Sequence, residues 1–563
     1  MRFLLYFLFV CNICAAQSPY PQEYFRSPLD IPLTTSGNYG ELRANHFHAG
    51  LDFRTEQREG LNVYAAADGY VSRIKISTFG YGKAIYISHP NGFTTVYGHL
   101  KNGNPAIEKY IKAQQYKEKS YEIDIFPKPD ELMLKSGDFI ALSGNTGGSG
   151  GPHLHFEFRD SKTEKTINPM LFGFDSKLID TRLPQISGVM VYPISENAIV
   201  NESQRPIAVN LSLQKDGSFL AEKVVAIGKI GFSINAYDLM DKSYSKNGLY
   251  KVAAYNNGKP VFSYKFDTFS FDEAKHVNGL LDYPRFILTG ARFQKLFAKN
   301  LYDLSIIKTN EENGIIAVIP NLNQNYRIEI SDFNDNKVII NIPIVCESKK
   351  VIASTLVQKT KYNVKSKIDN IYSKENVSVS VSANSFYEDL FLKFDVANDT
   401  LTFGDKTIAL QNSVLVTFNS EVVAERKSKT FIATLDGNKM IYNKTKIKEN
   451  EFSCYTKNLG RLFLAQDNIA PTVAVTNIQL DKTISSQKTI DVTIFDALSG
   501  IKEYSGYING VWALFEYDFK SKKMRHFLDD GIVNDGKNDL KIVVSDNVGN
   551  STTVETTFIY KKI

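Results

Sequence analysis

Apolar and polar residues alternate with a period of two through much of this chain, the pattern of strands half-buried on one face. The stretch Pro152–Phe158 shows it most plainly. In a strand, successive side chains point to opposite faces. Leu154, Phe156 and Phe158 therefore form a core face, and His153, His155 and Glu157 share the other. Similar short runs are separated by turn residues. Asn62–Ala66 and Tyr70–Ile76 flank Asp68-Gly69, and Lys83–Ser88 and Phe93–Leu100 flank Pro90-Asn91-Gly92. Phe139–Ser143 and His153–Phe158 follow. Together they predict an antiparallel β domain from residue 46 to about 175. One segment departs from the pattern. Asn104 can cap a helix with Pro105 in its first position, and Ile107, Tyr110, Ile111 and Ala113 follow at helical spacing to about Glu118. Residues 101–136 are thus expected to be an insertion carrying a helix.

Beyond residue 178 the chain is a series of strands, and two parts of it resemble each other. Asp180-Thr181-Arg182-Leu183-Pro184 and Asp467-Asn468-Ile469-Ala470-Pro471 each open a stretch. Each leads to a strand ending in aspartate, Asp238 or Asp496. Each closes near Ser-Asp-x-x-x-Asn, at Ser331-Asp332 to Asn336 and Ser545-Asp546 to Asn550. These are expected to be two immunoglobulin-like sandwiches, the first enlarged around 250–310. The expected class is mainly β. The expected organisation is a leader (1–16), a first β domain (17–177), an immunoglobulin-like domain (178–348), a β-rich domain (349–466) and a C-terminal immunoglobulin-like domain (467–563).

Length and composition agree with this division. At 563 residues the chain has room for several domains of roughly 100–200 residues. Its 43% hydrophobic and 23% charged residues are ordinary for a globular protein. The net charge of +5 suits an anionic envelope polymer, and no Lys/Arg run points to nucleic acid. Residues 1–16 read as an export signal: Arg2, then apolar Phe3 to Val10, then Cys14-Ala15-Ala16 before a cut at Gln17. The product would be periplasmic, envelope-associated or secreted. Cleavage would leave only Cys346 and Cys454, which are expected to be free. Trp512 is expected to be a packing residue of the last sandwich.

The chemistry is concentrated near the N-terminus. Six of the eight histidines (46, 48, 89, 99, 153 and 155) lie between residues 46 and 155. A catalytic zinc takes three protein ligands, N or O, and keeps an open position for water. His48, with Asp52 four residues on, and the His153/His155 strand could supply such a set.

These residues resemble the lysostaphin/LytM-type zinc metallopeptidases, which are peptidoglycan endopeptidases of the duplicated hybrid motif fold. The resemblance covers about residues 40–170. It rests on His48-x-x-x-Asp52, on Tyr97-Gly98-His99-Leu100, and on His153-Leu154-His155 after a Gly-rich loop. Val63–Val71 and Leu142–Gly147 also look like the family, whereas Ser149-Gly150-Gly151 departs mildly from its usual Ser-Thr-Gly. The resemblance implies that His48, Asp52 and His155 bind Zn2+. It also implies that His99 and His153 serve as the acid–base pair, in an endopeptidase that cleaves the cross-linking peptides of peptidoglycan. Tyr97, taken to share a strand face with His99, is a candidate for contact with substrate or oxyanion. Asn45 and Arg43 are candidates to line the cleft. His46 reads as a groove-edge or outer residue, His89 as structural, and Glu157 either as support for a ligand or as an ordinary ion-paired carboxylate. The helical insertion reads as a groove wall or lid. The C-terminal β domains would space the enzyme or hold an envelope protein. The competing reading is a non-catalytic wall-binding or hydrolase-regulating protein of the same fold.

Overall fold

The computed structural model describes residues 19–300, 302–353, 360–478, 483–484 and 487–561. The leader segment lies outside the described residues. The chain is mainly β, with 46% of its residues in strands and 8% in helices. No described helix is long and apolar enough to cross a membrane.

The first domain is built on one large antiparallel sheet. Its strands lie in the order Thr35–Gly37, Leu51–Arg54, His153–Asp160, Phe93–Gly98, Lys83–Ser88, Gly69–Ile76 and Ile123–Ile125. The strand with the strict two-residue alternation is thus central. Its inner face carries Leu154, Phe156 and Phe158, all fully buried. They pack with Phe25, Phe53, Phe172 and Phe174 in an aromatic core, where Phe158 stacks on Phe172 at 4.0 Å between ring centroids. A smaller sheet of Asn62–Tyr64, Phe139–Leu142 and Asn102–Gly103 completes the domain.

The insertion forms a helix at Pro105–Glu118. The Asn104 side chain accepts a hydrogen bond from the Ile107 N–H at 2.9 Å, satisfying one of the free first-turn donors. Lys119, at φ 50°, ends the helix in a left-handed cap. Ile107 and Ile111 bury one face against the domain.

Three two-sheet units follow, each closed over its own core cluster. One packs a five-stranded sheet against a nine-stranded one; its cluster also takes in Tyr39 and Phe47 of the first domain. The second pairs two five-stranded sheets, built from Asn370–Lys374 onward. The third pairs a four- and a five-stranded sheet within Thr472–Tyr560. Cys346 is half-buried, Cys454 is buried, and both are free.

Two of these units grip the first domain. Thr166–Ile167 pairs with Thr268–Phe269, carrying the main sheet into the neighbouring unit. The last unit meets the helical insertion. Trp512 packs edge-on against Tyr116 with centroids 5.3 Å apart, and the Tyr116 hydroxyl bonds Asp530. Lys83 pairs with Glu516 at 2.9 Å, and Phe79 lies 4.6 Å from Phe519. Trp512 is therefore a packing residue that crosses to the first domain's core, not one confined to its own sandwich. Lys520 Nζ bonds the main-chain oxygens of Asn145 and Ser149, tying down the Gly-rich loop.

Candidate metal centre

Strand register assembles the centre. His155 lies opposite Asp52 on one neighbouring strand and opposite Gly98 on the other. This draws three distant segments to one point. His48 enters from the turn before the Leu51–Arg54 strand, with its N–H on the Glu41 carbonyl. His48 Nε2, Asp52 Oδ1 and His155 Nδ1 then lie within 3.0 Å of one another.

The outer nitrogens of the two rings explain why this trio calls for a cation. His48 Nδ1 lies 2.8 Å from the Asn38 carbonyl, and His155 Nε2 lies 2.7 Å from Glu157 Oε1. Both of those partners only accept, so each outer nitrogen carries the proton when the ring is neutral. The inner nitrogens are then bare lone pairs facing a carboxylate oxygen. Three donor atoms that close, on rings whose outer nitrogens are already engaged, fit a metal ion. The mixed N, O, N donor set matches the ligand chemistry of zinc.

Glu157 is fully buried. Its other oxygen takes Arg159 at 2.7 Å, and Tyr81 donates its hydroxyl to the first. The Tyr81 ring also stacks on His155 at 4.9 Å. Glu157 is thus both the support of a ligand and an ion-paired carboxylate. Burial would raise it, but Arg159 and His155 hold it down to about 2.

His99 and His153 stand beside the trio. The strand ends at Gly98, and His99 turns out of it at φ 57°, a conformation uncommon outside glycine. Its Nδ1 donates to the Thr146 carbonyl at 2.8 Å. Gly147 permits that loop to approach, since at φ 68° a Cβ there would sit 2.3 Å from the Gly82 nitrogen. His153 Nδ1 donates to the Gly151 carbonyl at 2.8 Å, leaving Nε2 3.4 Å from Asp52 Oδ1. The two rings lie 4.7 Å apart. Burial, with His155 and His153 nearby, pushes His99 down to about 3.

Three cleft expectations need correction or refinement. Tyr97 does not share a face with His99. The reversal at His99 breaks the alternation, and Tyr97 is fully buried in the core against Phe156. Its hydroxyl bonds the Ala66 N–H and Thr95. Arg43 is engaged with the trio itself, with Nη2 2.9 Å from Asp52 Oδ2. Gly37 makes room for that contact, because a Cβ there would lie 2.4 Å from the guanidinium. Asn45 and His46 lie exposed in the 43–46 turn. His89 is buried, bonding the Asp68 carbonyl and Thr95.

Sequence reasoning missed Tyr81, Arg159 and the carbonyls of Asn38 and Thr146. Arg159 was findable, because two residues beyond Glu157 it falls on the same strand face. Nothing in the sequence marks the others. A cleft of about 630 Å³ runs between the Gly-rich loop and the last unit, lined by Lys83, Lys101, Thr146, Glu516 and Lys520.

The buried trio makes metal affinity pH-dependent. Burial alone would lower His155, but hydrogen bonds to Asp52 and Glu157 raise it to about 9 in the metal-free protein. A zinc ion bound there would have to displace that proton. Apparent zinc affinity is therefore expected to rise about tenfold per pH unit from 6.5 to 9 and then level off. The metal-free fold behaves oppositely. A histidine raised on folding stabilises below about 6.5, and that stability is lost as pH rises through about 9. The gap between zinc-loaded and metal-free melting temperatures should thus widen over this range. A gap that stays constant would contradict the proton assignment.

An N, O, N donor set beside two histidines in a β domain has the make-up of a candidate mononuclear metal centre. Residues 46–116 match the family model Peptidase family M23, so the chain carries an M23 peptidase domain. Residues 361–467 match the model of the Zu5-like domain. Among curated proteins, an uncharacterized metalloprotease of Haemophilus influenzae is 35% identical over 123 residues, 22% of this chain and 20% of that protein. The DD-carboxypeptidase/endopeptidase Mpg of Neisseria meningitidis is 34% identical over 129 residues, covering 23% of each. The peptidoglycan DD-endopeptidase ShyC of Vibrio cholerae is 29% identical over 146 residues, 24% of this chain and 27% of its own. The chain thus spans about a quarter of the length of the curated relatives it matches. Among solved structures, the catalytic domain of lysostaphin from Staphylococcus simulans covers 25% of this chain and 91% of its own, at 24% identity and a TM-score of 0.19.

Proposed function

We propose that this chain is a zinc-dependent endopeptidase that hydrolyses peptide cross-links of bacterial peptidoglycan. The observation that carries the reading is the convergence of three donor atoms, on His48, Asp52 and His155, beside His99 and His153. The named activities of the Neisseria and Vibrio relatives support the substrate class. Export through residues 1–16 and an envelope location belong to the same proposal, as does the role of the C-terminal β domains as spacers or docks for an envelope protein.

His48, Asp52 and His155 would hold the ion, and Glu157 and the Asn38 carbonyl fix the two rings. Zinc in such a site supplies a Lewis acid that polarises a peptide carbonyl and makes water nucleophilic near neutral pH. His99 and His153 keep their outer nitrogens on carbonyls, so each presents Nε2 toward the reacting groups. One accepts the proton of the attacking water. The other, once protonated, donates to the oxyanion or the leaving amine.

The test is zinc content and turnover of purified peptidoglycan in the wild type, His99→Ala and His153→Ala. Both variants are expected to keep one zinc per chain and to lose about 10²–10⁴-fold in rate. A zinc-loaded wild type that releases no new peptide ends would transfer the weight to a wall-binding or regulatory role.

A further inference from the structure

Two clusters of aspartates lie far from the metal centre, and they are wired alike. In the first two-sheet unit, Asp180, Asp238 and Asp332 bring carboxylate oxygens within 4.8 Å of one another; in the last unit, Asp467, Asp496 and Asp546 do the same. Asp332 Oδ2 accepts from Asn336 Nδ2 at 2.7 Å, and that amide also donates to the Asp180 carbonyl at 3.1 Å. Asn550 repeats the pattern, with 2.6 Å to Asp546 Oδ2 and 2.9 Å to the Asp467 carbonyl. The repeated sequence motif thus folds twice into the same acidic corner.

Hydrogen bonds within the corner do not satisfy it. Asp238 is only 3% exposed, and its Oδ1 has no hydrogen-bond partner among the described residues. Asn247 is 2% exposed, and neither its amide oxygen nor its nitrogen has a partner. Asn247 pairs with Asp238 across a β-bridge, and directly opposed residues point to the same face. No Lys or Arg ion pair to these three aspartates occurs among the described residues. A cavity of about 30 Å³ is lined by Asp180, Asp238 and Asp332, enough for a single ion. Like charges at this spacing repel by several kcal/mol at low effective dielectric, on the order of 4 kcal/mol at ~4 Å. A buried, all-oxygen corner drawn from three segments is the coordination chemistry of a hard divalent cation.

We propose that the Asp180–Asp238–Asp332 corner is a calcium site. Calcium rather than magnesium suits it, because the oxygens come from three separate segments and calcium tolerates irregular geometry. The site also adjoins the peptidase domain. Its cavity wall includes Asn38 and Tyr39. The Asn38 side chain bonds both the N–H and the carbonyl of Gly248, one residue past Asn247, while its own carbonyl fixes His48.

The experiment uses the full mature chain, stripped on a chelating resin and titrated with calcium by calorimetry. Wild type is expected to take up calcium with a dissociation constant of about 10⁻⁴–10⁻³ M, as in extracellular modules. Asp238→Asn should weaken that uptake at least tenfold. Its melting temperature should also rise less than that of wild type in about 5 mM calcium. A variant-free readout is terbium emission excited through Tyr39 and Tyr250, which both line the cavity, and displaced by calcium. No calcium uptake, uptake unchanged in Asp238→Asn, an equal response to magnesium, or no displaceable terbium emission would each overturn the proposal. The first of these outcomes would leave a proton shared between carboxyls as the occupant.

Discussion

His155→Ala is expected to abolish both metal binding and turnover. His155 would supply one of three donor atoms and is paired across the sheet to Asp52 and Gly98 on its two flanks. Its replacement leaves His48 Nε2 and Asp52 Oδ1 as a two-point site. Loss of an outer support already costs 10–100-fold in metal affinity, so loss of a ligand should exceed about 100-fold. Elemental analysis of the purified variant should find less than a tenth of the wild-type zinc. Peptidoglycan turnover should fall with it, while His99→Ala and His153→Ala lose rate and keep metal. The strand itself should persist, because Leu154, Phe156 and Phe158 hold it from the other face. Far-ultraviolet circular dichroism should therefore match metal-free wild type. A His155→Ala protein that kept full zinc would remove it from the donor set.

The second large effect concerns stability. Glu157 stands between His155 and Arg159 with no exposed surface, and Arg159 is itself only 4% exposed. Glu157→Ala deletes the principal counter-charge of a buried guanidinium, leaving it only Glu164 at 3.2 Å. Breaking such a pair typically costs about 3–5 kcal/mol. Denaturant unfolding of the metal-free protein should show that loss, and Glu157→Gln should show less of it. Both variants should bind zinc about 10–100-fold more weakly, because the His155 ring loses its charged acceptor. Unfolding midpoints indistinguishable from wild type would mean that water reaches Arg159 and the pair is not desolvated.

Much of the site was legible because its information is local. The His153–Phe158 alternation states which side chains face the metal, and the helix start at Asn104-Pro105 states its own cap. The failures share a cause. Tyr97 was placed by extending a period of two through His99, but a single residue at positive φ ended the strand and moved His99 out of register. Arg43 was expected at the cleft, but nothing local reveals that Gly37 leaves it space to reach Asp52 itself. The supports of the rings, carbonyls of Asn38 and Thr146, have no side-chain signature at all. Sequence periodicity reports which face a residue occupies. It does not report which main-chain oxygen lies across the gap.

The tie between Lys520 and the Gly-rich loop has a consequence in time. The lysine follows Asn145 and Ser149 by 375 and 371 residues. At typical rates of about 5–20 residues per second, a ribosome needs on the order of 20–75 s to pass from the loop to its fastener. During that interval the nascent chain already holds every histidine of the centre while the loop before His153 lacks its Lys520 tie. A chain cut short anywhere before residue 520 stays in that state.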